Sequence, residues 1–212
     1  SLKEKNDSLA LENFLLRARV ADLEEFIADS VRTSRMSADN ISKGHRYIHA
    51  TISKISNNTQ HNYMIIGKGS EDGVVEGSGV ITSKGAVGII DAVSRKHSYA
   101  RSFKNHEMNI SARLGKDGAV GPMNWDGRSR NGAVLKEIPH HVEFHPGDTV
   151  YTSGYSSIFP PDIPLGSIGS AKIVNGATYD IDITLFEDFS ALRYVTVVEN
   201  MGQNEINSLE KR

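Results

Sequence analysis

Residues 68–93 read KGSEDGVVEGSGVITSKGAVGIIDAV, and this stretch decides the fold class. Apolar steps at Val74-Val75, Val80-Ile81 and Ile89-Ile90 are short and punctuated by glycine, which is the pattern of brief strands and tight turns. Asp72-Gly73 and Gly77 mark turns, because glycine takes a positive φ without a Cβ penalty. Gly88 falls inside a strand pattern and predicts a bulge or a close backbone approach. The stretch is not a phosphate loop. Its lysines do not follow a GxxxxG frame, and no helix begins behind it to hold an anion.

The same rhythm extends in both directions. Upstream, Ile48, Ala50 and Ile52 alternate with polar residues, Asn57-Asn58-Thr59-Gln60 reads as a turn, and NYMIIGKGS follows as a strand. Downstream come YARSF, NISARL, AVGPM, GAVLKEI, DTVYTS, GSIGSAKIV, YDIDITL and YVTVVE. About twelve candidate strands result, with no long helical pattern among them. The expected architecture is mainly β, with two small six-stranded barrels. The expected division is 44–112 for the first barrel and 113–199 for the second, with a polar tail at 200–212.

The head of the chain has a different period. Leu2, Leu9, Leu16 and Leu23 stand seven residues apart. With these at d, the a positions are Asn6, Asn13, Val20 and Ile27, and leucine-backed asparagines at a favour a two-stranded coiled coil. In a parallel pair Glu12 faces Arg17 of the second helix and Arg19 faces Glu24, both attractive. Residues 1–43 are therefore expected to form a stalk and hinge, with the heptads fading after Ser30. A helix of about 28 residues would be about 42 Å long. Leu11, Phe14, Leu15 and Phe26 lie off this seam and form a second apolar stripe. That stripe either packs on the globular body or offers a partner or filament surface.

Composition narrows the function. A net charge of −2 argues against a general phosphate-binding surface, so no nucleic-acid partner is expected. The absence of cysteine rules out disulfides, thiolate metal sites and cysteine nucleophiles. No run of 18 apolar residues occurs, and no signal peptide is visible. The chain starts with Ser in mid-heptad, which suggests that an N-terminal membrane anchor precedes it.

Residues 147–166, GDTVYTSGYSSIFPPDIPLG, together with KGSEDGV at 68–74, GAVGIIDAVS at 85–94 and Ile138-Pro139, resemble the rod-shape-determining MreC family in motif order and spacing. One departure is Pro161-Asp162, where the family's tight turn leads one to expect glycine. Aspartate tolerates the left-handed region better than most residues. The resemblance implies a single membrane-anchoring helix, a coiled coil and two β-barrels outside the cytoplasmic membrane, on its periplasmic face. It implies a non-catalytic scaffold of the cell-elongation machinery, with MreD, MreB, RodA and a penicillin-binding transpeptidase as partners, and no cofactor.

Three competing readings remain open to the sequence. The first is a chymotrypsin-like hydrolase built on Ser153, although the Gly-Asp-Ser-Gly context of such a nucleophile is missing, since Thr149 follows Gly147-Asp148 with no glycine next to shape an oxyanion hole. The second is a periplasmic adaptor of a transport system, which would need a helical hairpin. The third is a metal site at His140, His141, Glu143 and His145, set against a solvated loop between Pro139 and Pro146. Tyr155, Ile158 and Phe159 are expected either to pack between the barrels or to meet a partner.

Overall fold

The computed structural model describes residues 2–39, 44–57 and 60–211, and the side chains of all of these except 35–39. The hinge residues 40–43 and the turn residues Asn58 and Thr59 lie outside the described residues. A long helix, α1 (Leu2–Asp39), precedes β1 (His45–Ser56), β2 (His61–Ile66), β3 (Gly79–Thr82), β4 (Gly85–Val93) and β5 (Ser98–Asn105). Then follow β6 (Asn109–Leu114), β7 (Val120–Trp125), β8 (Gly132–Pro139), β9 (Thr149–Thr152), β10 (Pro164–Val174), β11 (Thr178–Leu185), β12 (Tyr194–Asn200) and a short α2 (Gln203–Glu210). The helix continues past Ser30, where the heptads fade, to Asp39, and Thr33 within that stretch is buried.

The strands close into two barrels, in the orders β1-β12-β3-β4-β5-β2 and β10-β11-β8-β7-β6-β9. Closure requires tilted strands and a staggered register. In β1 the partner changes partway along the strand. Residues 45–51 pair with β12, and after a slip at Ile52/Lys54 the remainder pairs with β2. Strand order departs from the linear division at 112/113. The last strand, β12, returns to seal the first barrel, and β6 already belongs to the second. A hydrophobic pattern gives each strand's faces but not its neighbours, and β12 pairs with β1 across most of the sequence. The polar tail carries α2, whose Gln203 side chain donates to the Gly77 carbonyl.

Each barrel interior follows from alternation. In β2, Asn62, Met64 and Ile66 are buried while their neighbours are less so. In β6, Ile110, Ala112 and Leu114 do the same for the second barrel. Gly88 sits where a Cβ would come within 2.6 Å of the Arg101 carbonyl oxygen, and the β3–β4 register slips between Val80 and Ile81 beside it. Bulge and close approach thus coincide. The two interiors form one continuous apolar cluster. Phe103 of β5 meets Phe189 at 6.4 Å between ring centroids, and the Lys104 ammonium lies 5.4 Å over the Trp125 ring.

Candidate functional site

The helix uses two faces. Asp22, Phe26, Asp29 and Thr33 recur at spacings of four, three and four, so they form one stripe. This stripe rests on the first barrel. Phe26 meets Tyr194 at 5.2 Å between centroids, and Arg193 pairs with the Asp22 carboxylate at 2.6 Å. The Tyr194 hydroxyl donates to the Asp22 carbonyl at 2.6 Å, and Ser83 donates to Asp29 at 3.2 Å. In heptad terms these are c and g positions. The a and d positions point elsewhere, about a third of a turn round the helix by 3.6-residue geometry. Leu2, Leu9, Leu16, Val20, Leu23 and Ile27 are all exposed on that face, as are Asn6 and Asn13. Leu11 and Leu15 lie on the N-terminal extension of the barrel-docking stripe, with Phe14 beside them, and remain exposed where the helix passes beyond the barrel. Sequence reasoning found the second stripe through these residues and Phe26. It did not find the barrel side, because Asp22, Tyr194 and Arg193 carry no periodic signal.

The junction between helix and barrel contains titratable groups. His49 of β1 shares a hydrogen bond with Thr196 at 2.8 Å, and its other ring nitrogen lies 3.4 Å from the Ser34 hydroxyl. Burial lowers its pKa, opposed by the charge of Asp29. Glu187 accepts a short hydrogen bond from Thr82, and burial raises its pKa.

The loop between β9 and β10 separates the three residues grouped there by sequence. Phe159 is 2 % exposed and fills space left by Gly79, whose added Cβ would stand 2.7 Å from the Phe159 ring. It is therefore a packing residue joining the barrels, not a partner surface. Ile158 is half-buried against the core, and Tyr155 is 84 % exposed. The departure at Pro161-Asp162 is accommodated: Asp162 has φ 68 and pairs with Arg113. Gly154, at φ 79, faces Pro161 so closely that a Cβ would lie 2.7 Å from it.

The competing chemistries find little geometry. The Ser153 hydroxyl donates to Ser111 at 2.7 Å and accepts from the Tyr155 amide at 3.1 Å, so both of these partners are structural. His140 bonds the Ala177 carbonyl, and His145 lies near Asp148 across its own turn. Among the described residues, no group of three or more His, Asp or Glu side chains is placed to hold a metal. One long helix is present among them, where the adaptor reading needs a hairpin. None of the described helices is long and apolar enough to cross a membrane. Both sheets close, so the barrel walls carry no unpaired strand where the ladder is continuous.

The family model for Rod shape-determining protein MreC, barrel core, matches residues 52–199. The cell shape-determining protein MreC of Listeria monocytogenes is 27% identical over 206 residues, covering 95% of this chain and 68% of that protein. The Escherichia coli protein of the same description is 22% identical over 211 residues, covering 98% of this chain and 57% of its own length. A solved Listeria MreC structure superposes with a TM-score of 0.69 at 25% identity, over 94% of each chain. A chain of a complex between Penicillin-Binding Protein (PBP2) and MreC from Helicobacter pylori has a TM-score of 0.60 at 18% identity, over 74% of this chain and 98% of that one.

Proposed function

The chain belongs to the rod shape-determining MreC family, and from that premise we propose that it acts as a dimeric scaffold on the periplasmic face of the cytoplasmic membrane. In this reading the a/d seam of α1 pairs two copies in parallel. The barrels then hold peptidoglycan synthases in register with the rest of the elongation machinery. The carrying observation is the division of labour on α1. One stripe is occupied by the chain's own barrel, while Leu9, Leu16, Val20, Leu23 and Ile27, all 52–59 % exposed, form a separate leucine-rich seam. An apolar heptad seam is stable in water only when a second helix covers it. The Helicobacter complex supports a penicillin-binding transpeptidase as one partner, since that neighbour's fold is shared. MreD, MreB and RodA follow from the family reading, as does an anchoring helix ahead of Leu2.

Sedimentation tests the seam. The double substitution Leu9→Asp and Leu16→Asp should weaken dimerisation by at least about a hundredfold, since each buried leucine contributes about 1.5–3 kcal/mol. The barrels should keep their unfolding transition. A chain that sediments as a monomer at tens of micromolar, roughly where a short coil pairs by mass action, would refute the dimeric reading.

A further inference from the structure

One hairpin outgrows the second barrel. The four-residue β9 pairs with β10 only between Pro164 and Ser167, whereas β10 continues against β11 to Val174. Register slips on both sides of β11 bend it away. In β10, Gly169 and Ser170 stand opposite Asp182 alone, and in β8, Lys136 and Glu137 stand opposite Asp180 alone. Such insertions kink a strand and increase its twist. Asn175-Gly176, at φ 52 and 66, closes the tip as a tight hairpin turn.

Beyond the bend, two cross-strand rows end abruptly. Leu135, Ile181 and Ala171 form one, and Ile138, Tyr179 and Ile173 form the other. In the second row Ile138 is fully buried, Tyr179 is half-buried beneath the Phe144 ring, and Ile173 is 62 % exposed. In the first, Leu135 and Ile181 are fully buried and Ala171 is exposed. Both rows continue the interior face of the barrel outward, and both stop one strand short.

The backbone agrees. The Val174 carbonyl accepts from the Ala177 amide within the hairpin turn, so the peptide groups of Val174, and by alternation Lys172, face β11. Those of Ala171 and Ile173 face outward, where β9 no longer runs. Lys172 lies exposed on the opposite face, directly across from Asp180 of β11, yet makes no ion pair among the described residues, while Asp182 accepts from Ser170. A lysine midway along an edge discourages symmetric pairing with a second copy, which sets the two ammonium groups face to face.

We propose that Ala171–Val174 is a docking edge for an extended segment of a partner protein that alternates apolar and acidic side chains. Its apolar residues complete the rows ending at Ala171 and Ile173, and its acid sits beside Lys172. The edge is on the second barrel and does not depend on the helical seam.

A short synthetic peptide alternating valine and glutamate is the probe. Added to the isotope-labelled full chain, it should shift the amide signals of Ala171 and Ile173 and slow their hydrogen exchange. The same peptide with lysine for glutamate should bind about threefold more weakly, as for an exposed charge pair, and Lys172→Glu should reverse that preference. Ile173→Pro removes one outward donor at a position where an edge strand tolerates proline, and should abolish the protection. Three results would overturn the proposal: no shift at millimolar peptide, equal binding of the two peptides, or shifts that grow with protein concentration alone. The last would assign the edge to a second copy.

Discussion

Leu135 and Leu9 are the same side chain in two different settings. Leu135 is fully buried within the second barrel, while Leu9 is 57 % exposed on α1. The barrels close on themselves and bury what their sequence pattern says they should. The helix buries one stripe on the first barrel and leaves the richer one uncovered. A domain that is complete in one chain and a helix that is not lead to opposite expectations for the same mutation. Leu135→Ala should cost about 2–5 kcal/mol in denaturant unfolding, through lost transfer energy and a cavity. Leu9→Ala should change the stability of the dilute chain by no more than about 0.5 kcal/mol. Comparable losses at the two sites would break the comparison, because they would mean that the heptad seam is buried within its own chain.

The comparison sharpens within a single loop. Phe159 and Tyr155 are four residues apart, one 2 % and the other 84 % exposed. Phe159→Ala should cost about 3 kcal/mol and loosen one barrel against the other. Tyr155→Ala should stay within about 0.5 kcal/mol. Gly79→Ala probes the same junction from the opposite wall, because its Cβ would press on the Phe159 ring at 2.7 Å. If Gly79→Ala and Phe159→Ala act on the same contact, the double variant should cost less than the sum of the two.

What was legible in the sequence follows from the range of each signal. Strand existence is a local pattern, so Gly88, the Asp72-Gly73 turn and the alternation through Met64 and Ile66 could be read directly. The left-handed turn at Asp162 was legible for the same reason, since it depends on one residue's tolerance of positive φ. Barrel membership was not legible. The pairing of β1 with β12 joins His45 to Asn200, and nothing local records a partner that distant. The helix gave up both stripes but not the occupant of the second, because Tyr194 and Arg193 are ordinary strand-edge residues until the chain folds. The projecting hairpin did leave a signal. Asn175-Gly176 between apolar runs is a strong hairpin cue, but it marks only the turn and not how far the two strands outrun their neighbour.

A smaller effect separates the two stripes of α1. Phe26→Ala removes the ring that meets Tyr194, a contact worth about 1 kcal/mol. Hydrogen exchange of helix amides near residues 22–34 should then speed up about fivefold. Phe14→Ala, at an exposed position beyond the barrel, should leave those amides unchanged. Equal effects from the two would show that docking is not confined to the stripe through Asp22, Phe26, Asp29 and Thr33.

The smallest expected effect is one of pH, and it bears on the helix junction while sparing the barrels. Burial holds the His49 pKa below its ordinary value near 6.5. Below that value the unfolded chain takes up a proton more readily than the folded one. The stability tied to His49 is therefore in place above about pH 6.5 and is lost as pH falls through the lowered value. Glu187 has the opposite sign. Burial raises its pKa above 4.5, so its neutral form is favoured in the fold, and stability declines as pH rises from 4.5 through the raised value. The two are distinguished by substitution. His49→Gln should flatten the loss of helix protection between pH 7.5 and about 5.5, and Glu187→Gln should remove the decline on the alkaline side of 4.5. Amides around Leu135 should show neither slope, because no shifted group lies beside that residue in the core of the second barrel. A slope at Leu135 matching that of the helix would mean that the barrels and α1 unfold together, and the contrast between a self-sufficient body and a dependent helix would fail.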